Sequence, residues 1–258
     1  LHFAGARVRE FEMANWNDPQ PRTGFGASPS LDGREAGRAT YDAGLRSYML
    51  SIYNYMASGV LLSGIVALVF ANSGMAMQVL TTPLRWVVML APLGFVMAMN
   101  FGLNRMKTST LQMLYWAFCV VMGLSLSTIF LAFTATSIAT TFFATAASFA
   151  GLSLFGYTTK KDLSGFGTFL IMGLFGILIA MLINIFVGST VLQLAISVLG
   201  VLIFAGLTAY DTQMLKNQYA QLRGTEFLGK AVIMGALSLY LDFINMFQFL
   251  LSFLGDRR

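Results

Sequence analysis

After Asp42 the acidic residues of this 258-residue chain are Asp162, Asp211, Glu226, Asp242 and Asp256. Asp162, Glu226 and Asp256 fall in polar connections or at the C-terminus, whereas Asp211 and Asp242 belong to long apolar runs. A carboxyl inside a membrane span costs about 2.5 to 3.5 kcal/mol on insertion scales and marks a functional site by default. The alternative is an acid at a helix end in the headgroup layer. Two carboxylates about 4 Å apart at an effective dielectric of about 20 repel by about 4 kcal/mol. A touching pair would therefore share one proton: singly protonated it bonds two helices together, and deprotonated it repels them and offers a cation site. Asp211 and Asp242 are accordingly the candidate proton-sensing residues and the candidate cation ligands.

Asn245 follows Asp242 by three residues and Thr208 precedes Asp211 by three, so each shares a helical face with its acid and extends a polar lining. Asn100, Asn104 and Asn184 are further candidates, with interhelical hydrogen bonding as the plainer account. A straight-helix count sets Asp242 about 18 Å inward from Lys230 and Asp211 about 30 Å after Val191, which does not level the two. Tilt, or a seventh helix that starts before Lys230, must close the gap if they meet. His2 is the sole histidine and Cys119 the sole cysteine, so a Cys/His metal cluster and a disulfide are both excluded, and no obligatory cofactor is expected.

The elements that carry these residues are membrane helices. Hydrophobic residues make up 57% of the chain and charged residues 10%, against about 25% charged in soluble domains. Apolar runs of about 20 residues, long enough to cross a bilayer, recur at 49–72, 84–103, 111–133, 138–157, 166–187, 191–210 and 231–254. The chain thus reads as an all-α membrane protein of seven transmembrane helices, 48–258, after a mostly disordered tail, 1–47, in which 41–48 can form a helical lead-in. Without an apolar core in the tail, no cleavable signal peptide is expected and the first span serves as the insertion signal. Met13 resembles a natural start, which would make residues 1–12 an upstream extension.

Basic residues set the orientation. Arg34, Arg38 and Arg46 precede the first span; Arg105 and Lys107 follow the second, Lys160 and Lys161 the fourth, and Lys216, Arg223 and Lys230 the sixth. The opposite side carries Arg85, then Arg257 and Arg258 at the C-terminus. The N-terminus is therefore expected in the cytoplasm and the C-terminus outside, with a six-span form as the alternative. Because the net charge of +5 sits in the tail and short loops, nucleic-acid binding is not expected.

The motifs MGLSLS (122–127), GYTTKKDLSGFGTFL (156–170), AYDTQ (209–213) and LYLDFINMFQFLL (239–251) resemble those of the Bax inhibitor-1 family, the transmembrane Bax inhibitor motif proteins, and especially its bacterial members, over residues 44–254. The resemblance implies a seven-helix fold with a central seventh helix in the bacterial inner membrane. It further implies a calcium leak governed by the aspartates corresponding to Asp211 and Asp242, and a partner role for Arg105 in one state, although plain positive-inside anchoring also explains Arg105. Relatives carry a Glu within the second span, which 84–103 lacks.

Three rival readings remain. An intramembrane aspartyl protease resembles the chain at Tyr210-Asp211, but this chain has Leu239-Tyr-Leu-Asp242 where that class has Gly-x-Gly-Asp, and its last proline is Pro92, so it is not read as an enzyme. A non-transporting interaction protein, with membrane-bound proteases as partners and a role in quality control or stress survival, suits a long cytoplasmic tail. A seven-helix receptor shares only the span count. Oligomeric state is not legible.

Overall fold

The computed structural model describes residues 31–257; the tail at 1–30, including the Met13 start, and Arg258 lie outside it, as do the side chains of Arg34 and Arg38. Eight helices are present among the described residues: α1 (Leu31–Asn72), α2 (Met75–Thr81), α3 (Leu84–Gly102), α4 (Thr108–Ala132), α5 (Ala135–Thr158), α6 (Ser164–Val187), α7 (Thr190–Leu222) and α8 (Phe227–Leu254). All but α2 are long and apolar enough to cross a membrane, and no strand occurs among the described residues. The seven apolar runs therefore correspond to α1 and α3–α8.

Two boundaries differ from the sequence reading. The expected limit at residue 47 is not the end of an element, because α1 is already helical from Leu31. No proline occurs between Pro29 and Pro83, and Ala, Arg and Leu favour helix regardless of hydropathy. Likewise α7 does not stop at Tyr210 but continues to Leu222, since 212–222 contains no helix breaker before Gly224, which adopts φ 79°. Charge had marked this stretch as loop; charge ends a membrane span, not a helix. The compact unit that positions the site is Asp42–Arg258.

Within this unit α8 is the most enclosed span: half of its most apolar window is buried, against 11–33% for the others. Among α2–α8 the most extensive pairing is α7 with α8, and α5 packs against both. The α1, α4 and α8 helices meet at Ser63, whose hydroxyl bonds Tyr240 Oη at 2.6 Å and Cys119 O at 2.7 Å, while Tyr115 Oη donates to Tyr55 O at 2.8 Å. Gly123 makes that contact close, since a Cβ there would lie 2.7 Å from Ser63 O.

The helix ends sort onto two faces. On one, Tyr48 of α1 packs on Tyr219 of α7, Lys230 at the start of α8 donates to Leu103 O after α3, and Lys216 donates to Tyr157 O at the end of α5. On the other, Thr134 N at the start of α5 donates to Asp256 O just after α8, and Gln193 near the start of α7 meets Asn184 of α6 and Ser252 of α8. Asn184 thus takes the interhelical bonding role. The start of the compact unit and the C-terminus lie on opposite faces, as seven crossings require and six do not.

Candidate functional site

Asp211 sits inside α7 rather than at its end, and Asp242 sits in the middle of α8. Both side chains are buried, at 8% and 5% exposure. The local sequence fixes Asp211 from two sides. A Cβ on Gly156 of α5 would strike the backbone of Ala209, including its carbonyl oxygen, and a Cβ on Gly167 of α6 would strike the ring of Tyr210. The residues immediately before Asp211 are therefore gripped between two helices that approach through glycine. Below this grip, Gln213 bridges α7 to the α5–α6 connection by accepting from Leu163 N at 2.8 Å and donating to Lys161 O at 2.7 Å.

The structure places the two acids on helices that pack against each other, both of them buried. Asp211 Oδ2 accepts a short hydrogen bond from the Ser238 hydroxyl. Ser238 precedes Asp242 by four residues, so it lies on the Asp242 face of α8 and links the pair across the helix boundary. Asp242 Oδ2 is buried without a hydrogen-bond partner among the described residues. An orphaned buried acceptor of this kind is expensive and calls for an ion, a proton or water. The depth gap narrows chiefly because α7 runs on from Asp211 to Leu222, about 16 Å, against about 22 Å from the start of α8 at Phe227 to Asp242.

The other sequence candidates are placed as follows. Thr208 is buried, but its hydroxyl donates back to Phe204 O at 2.8 Å, and its own carbonyl accepts from Thr212, whose hydroxyl also reaches Ser153 of α5 at 3.3 Å. Asn245 is half-buried on the Asp242 face. Arg105 is exposed in the turn after α3, its N–H bonded to Gly102 O at 2.9 Å, and does not border the cavity that leads towards the acids.

That cavity, of about 500 Å³, opens between α3, α7 and α8 and is lined by Asn100, Gln218, Gln221, Lys230 and Ser238 among apolar residues. It joins the basic face of the bundle to the hydroxyl that holds Asp211. The cation at this vestibule is Lys230, not Arg105. Sequence reasoning missed Ser238, though its four-residue spacing from Asp242 was a usable signal, and treated Lys230 only as an orientation charge. Outside the spans, Asp162 Oδ1 accepts from Ser164 Oγ at 2.7 Å and Ser164 N at 2.9 Å, which holds its carboxyl below the usual range, the hydroxyl contributing most.

Residues 45–258 match the family model described as inhibitor of apoptosis-promoting Bax1. The chain is 47% identical to an uncharacterised protein of Caulobacter vibrioides over 84% of its own length and 91% of the relative's. It is 45% identical to the inner membrane protein YbhL of Escherichia coli strain K12, over 84% and 94% of the two chains. An uncharacterised Rickettsia prowazekii protein, RP147, is similar at 43% identity over 85% and 93%.

Proposed function

Because this chain belongs to the Bax inhibitor-1 family, we propose that it is a cation leak channel, with calcium as the permeant ion, gated by proton sharing between Asp211 and Asp242. It is a multi-pass protein of the bacterial inner membrane, as its YbhL relative and its seven apolar helices indicate. The observation that carries the leak reading is Asp242 Oδ2, orphaned among the described residues, on the helix that packs against the one bearing the buried Asp211; a cavity reaches the serine that holds Asp211.

A calcium ion takes six to eight oxygens when held tightly. Two carboxyls offer at most four, and no group of three His, Cys, Asp or Glu side chains able to hold a metal occurs among the described residues. Two carboxyls alone hold calcium weakly, and conduction demands an ion that enters and leaves. With one shared proton the pair becomes a hydrogen-bonded link of single negative charge between α7 and α8; on losing that proton the two charges repel and attract a cation. Thr208 and Asn245 lie on the same helical faces as the two acids, and Lys230 repels cations at the vestibule until screened or displaced. Arg105 pairing with the acids would belong to a different state. The reading is non-enzymatic.

The N-terminus is assigned to the cytoplasm and the C-terminus to the outside. Support comes from the face carrying Arg46, Arg105, Lys107, Lys160, Lys161, Lys216, Arg223 and Lys230, against Arg85 and Arg257 on the other.

The decisive experiment measures calcium entry into dye-loaded liposomes for wild type, Asp211→Asn and Asp242→Asn between about pH 6 and pH 8. Wild type should leak with a pH-dependent rate, and each variant should lose that dependence. Equal flux in all three, or none above empty liposomes, removes the leak and favours a non-transporting interaction protein that acts on membrane-bound proteases.

A further inference from the structure

Two cavities on the opposite side of α8 from the vestibule lie end to end between α1 and α5. One, of about 680 Å³, and a second, of about 610 Å³, share Val60 and Phe142 as common walls. The first has a polar mouth and an apolar body. Arg46 and Tyr157 stand at the mouth, on the face that carries most of the basic side chains; Met56, Val60, Phe142 and Phe149 line the body. From Arg46 to Val60, α1 rises about 21 Å, somewhat more than the thickness of one leaflet's hydrocarbon, about 15 Å.

We propose that the groove between α1 and α5 is a binding site for one anionic phospholipid, its phosphate on Arg46 and one acyl chain running down to Val60 and Phe142. The charge pattern selects this occupant. The Arg46 guanidinium has no hydrogen bond or ion pair among the described residues, and its planar fork matches a phosphate in two-pronged fashion. Lys216, whose Nζ donates to Tyr157 O at 2.7 Å and stands 5.1 Å from the Tyr157 ring, adds positive charge behind that residue without lining the cavity. No acid lines the cavity. Basic pockets between membrane helices on the cytoplasmic side are the kind of site that holds anionic headgroups, and the volume lies within the range of small-molecule pockets. Tyr53 and Tyr157 supply the amphipathic rings suited to the headgroup level.

The test titrates delipidated full-length protein in detergent with phosphatidylglycerol, phosphatidylethanolamine or oleic acid and counts bound lipid by native mass spectrometry. A photoreactive phosphatidylglycerol then locates the site. Wild type should hold one phosphatidylglycerol, preferred by about fivefold or more over phosphatidylethanolamine, the factor one basic side chain supplies near an anionic group. Arg46→Gln should bring the two lipids to equal affinity. Ala150→Trp, at an exposed wall position, should fill the groove and weaken both lipids while leaving thermal unfolding unchanged. Lys107→Gln, on the same face but outside the groove, should keep the preference, and crosslinks should fall on α1 and α5. The proposal is overturned by no preference in wild type, by a preference that survives Arg46→Gln, by tighter oleic acid binding, or by crosslinks elsewhere or to a second copy. The readout is bound lipid, so it stands or fails independently of calcium flux.

Discussion

The Ser238 hydroxyl satisfies Asp211, whereas no group among the described residues satisfies Asp242 Oδ2. Ser238→Ala should destabilise the protein by about 1–3 kcal/mol, because it leaves a second buried carboxyl without its partner; a lowered unfolding temperature in detergent checks this. Asp242→Asn should instead hold or raise that temperature, since it removes the like charge, and should abolish the pH response of the proposed calcium flux. At the surface, Asp162 behaves in the ordinary way. Its folded-state affinity for protons is lowered by Ser164, so its contribution to stability is present above the usual carboxylate range near pH 4 and is lost as pH falls through the lower folded value. Asp162→Asn should flatten that part of the acid limb of a stability profile. The acids themselves were legible because carboxyls in apolar runs are rare; Ser238 was not singled out, because a serine in a span has many innocent uses.

The helices were legible in number, and their middles in place, because hydropathy over about 20 residues reports what a bilayer accepts. Their ends were not. Both α1 and α7 run on as helix beyond their apolar runs, where hydropathy falls silent and propensity takes over. Nor could the sequence say why GYTTKKDLSGFG and AYDTQ occur together. In space, Gly156 and Gly167 of the first motif close on Ala209 and Tyr210 of the second, and Gln213 ties the same two segments. Gly156→Ala should therefore cost about 1–3 kcal/mol through overpacking, whereas Gly151→Ala, on the same helix but facing open space, should stay within about 0.5 kcal/mol. Paired thermal melts compare them. Gln213→Ala should cost about 1–3 kcal/mol by stranding Leu163 N and Lys161 O.

For the whole molecule, seven crossings follow from where the ends are tied: Lys230 to Leu103 on one face, Thr134 to Asp256 on the other. The topology assigned from basic residues predicts that Lys107→Cys and Lys160→Cys react with an impermeant thiol reagent only after the inner membrane is opened. Ser73→Cys, exposed on the other face, should react in spheroplasts directly; the reverse pattern would invert the assignment. The glycine grip on Asp211 also bears on motion. Helices that touch backbone to backbone at Gly156 and Ala209 cannot slide past one another without collision. In mechanical terms α5, α6 and α7 form a stator that holds Asp211 still, and any change in the spacing of the two carboxyls must come from α8 turning within it. A spin-label pair across α5 and α7 should thus read one distance at every pH, while a pair across α7 and α8 should read two.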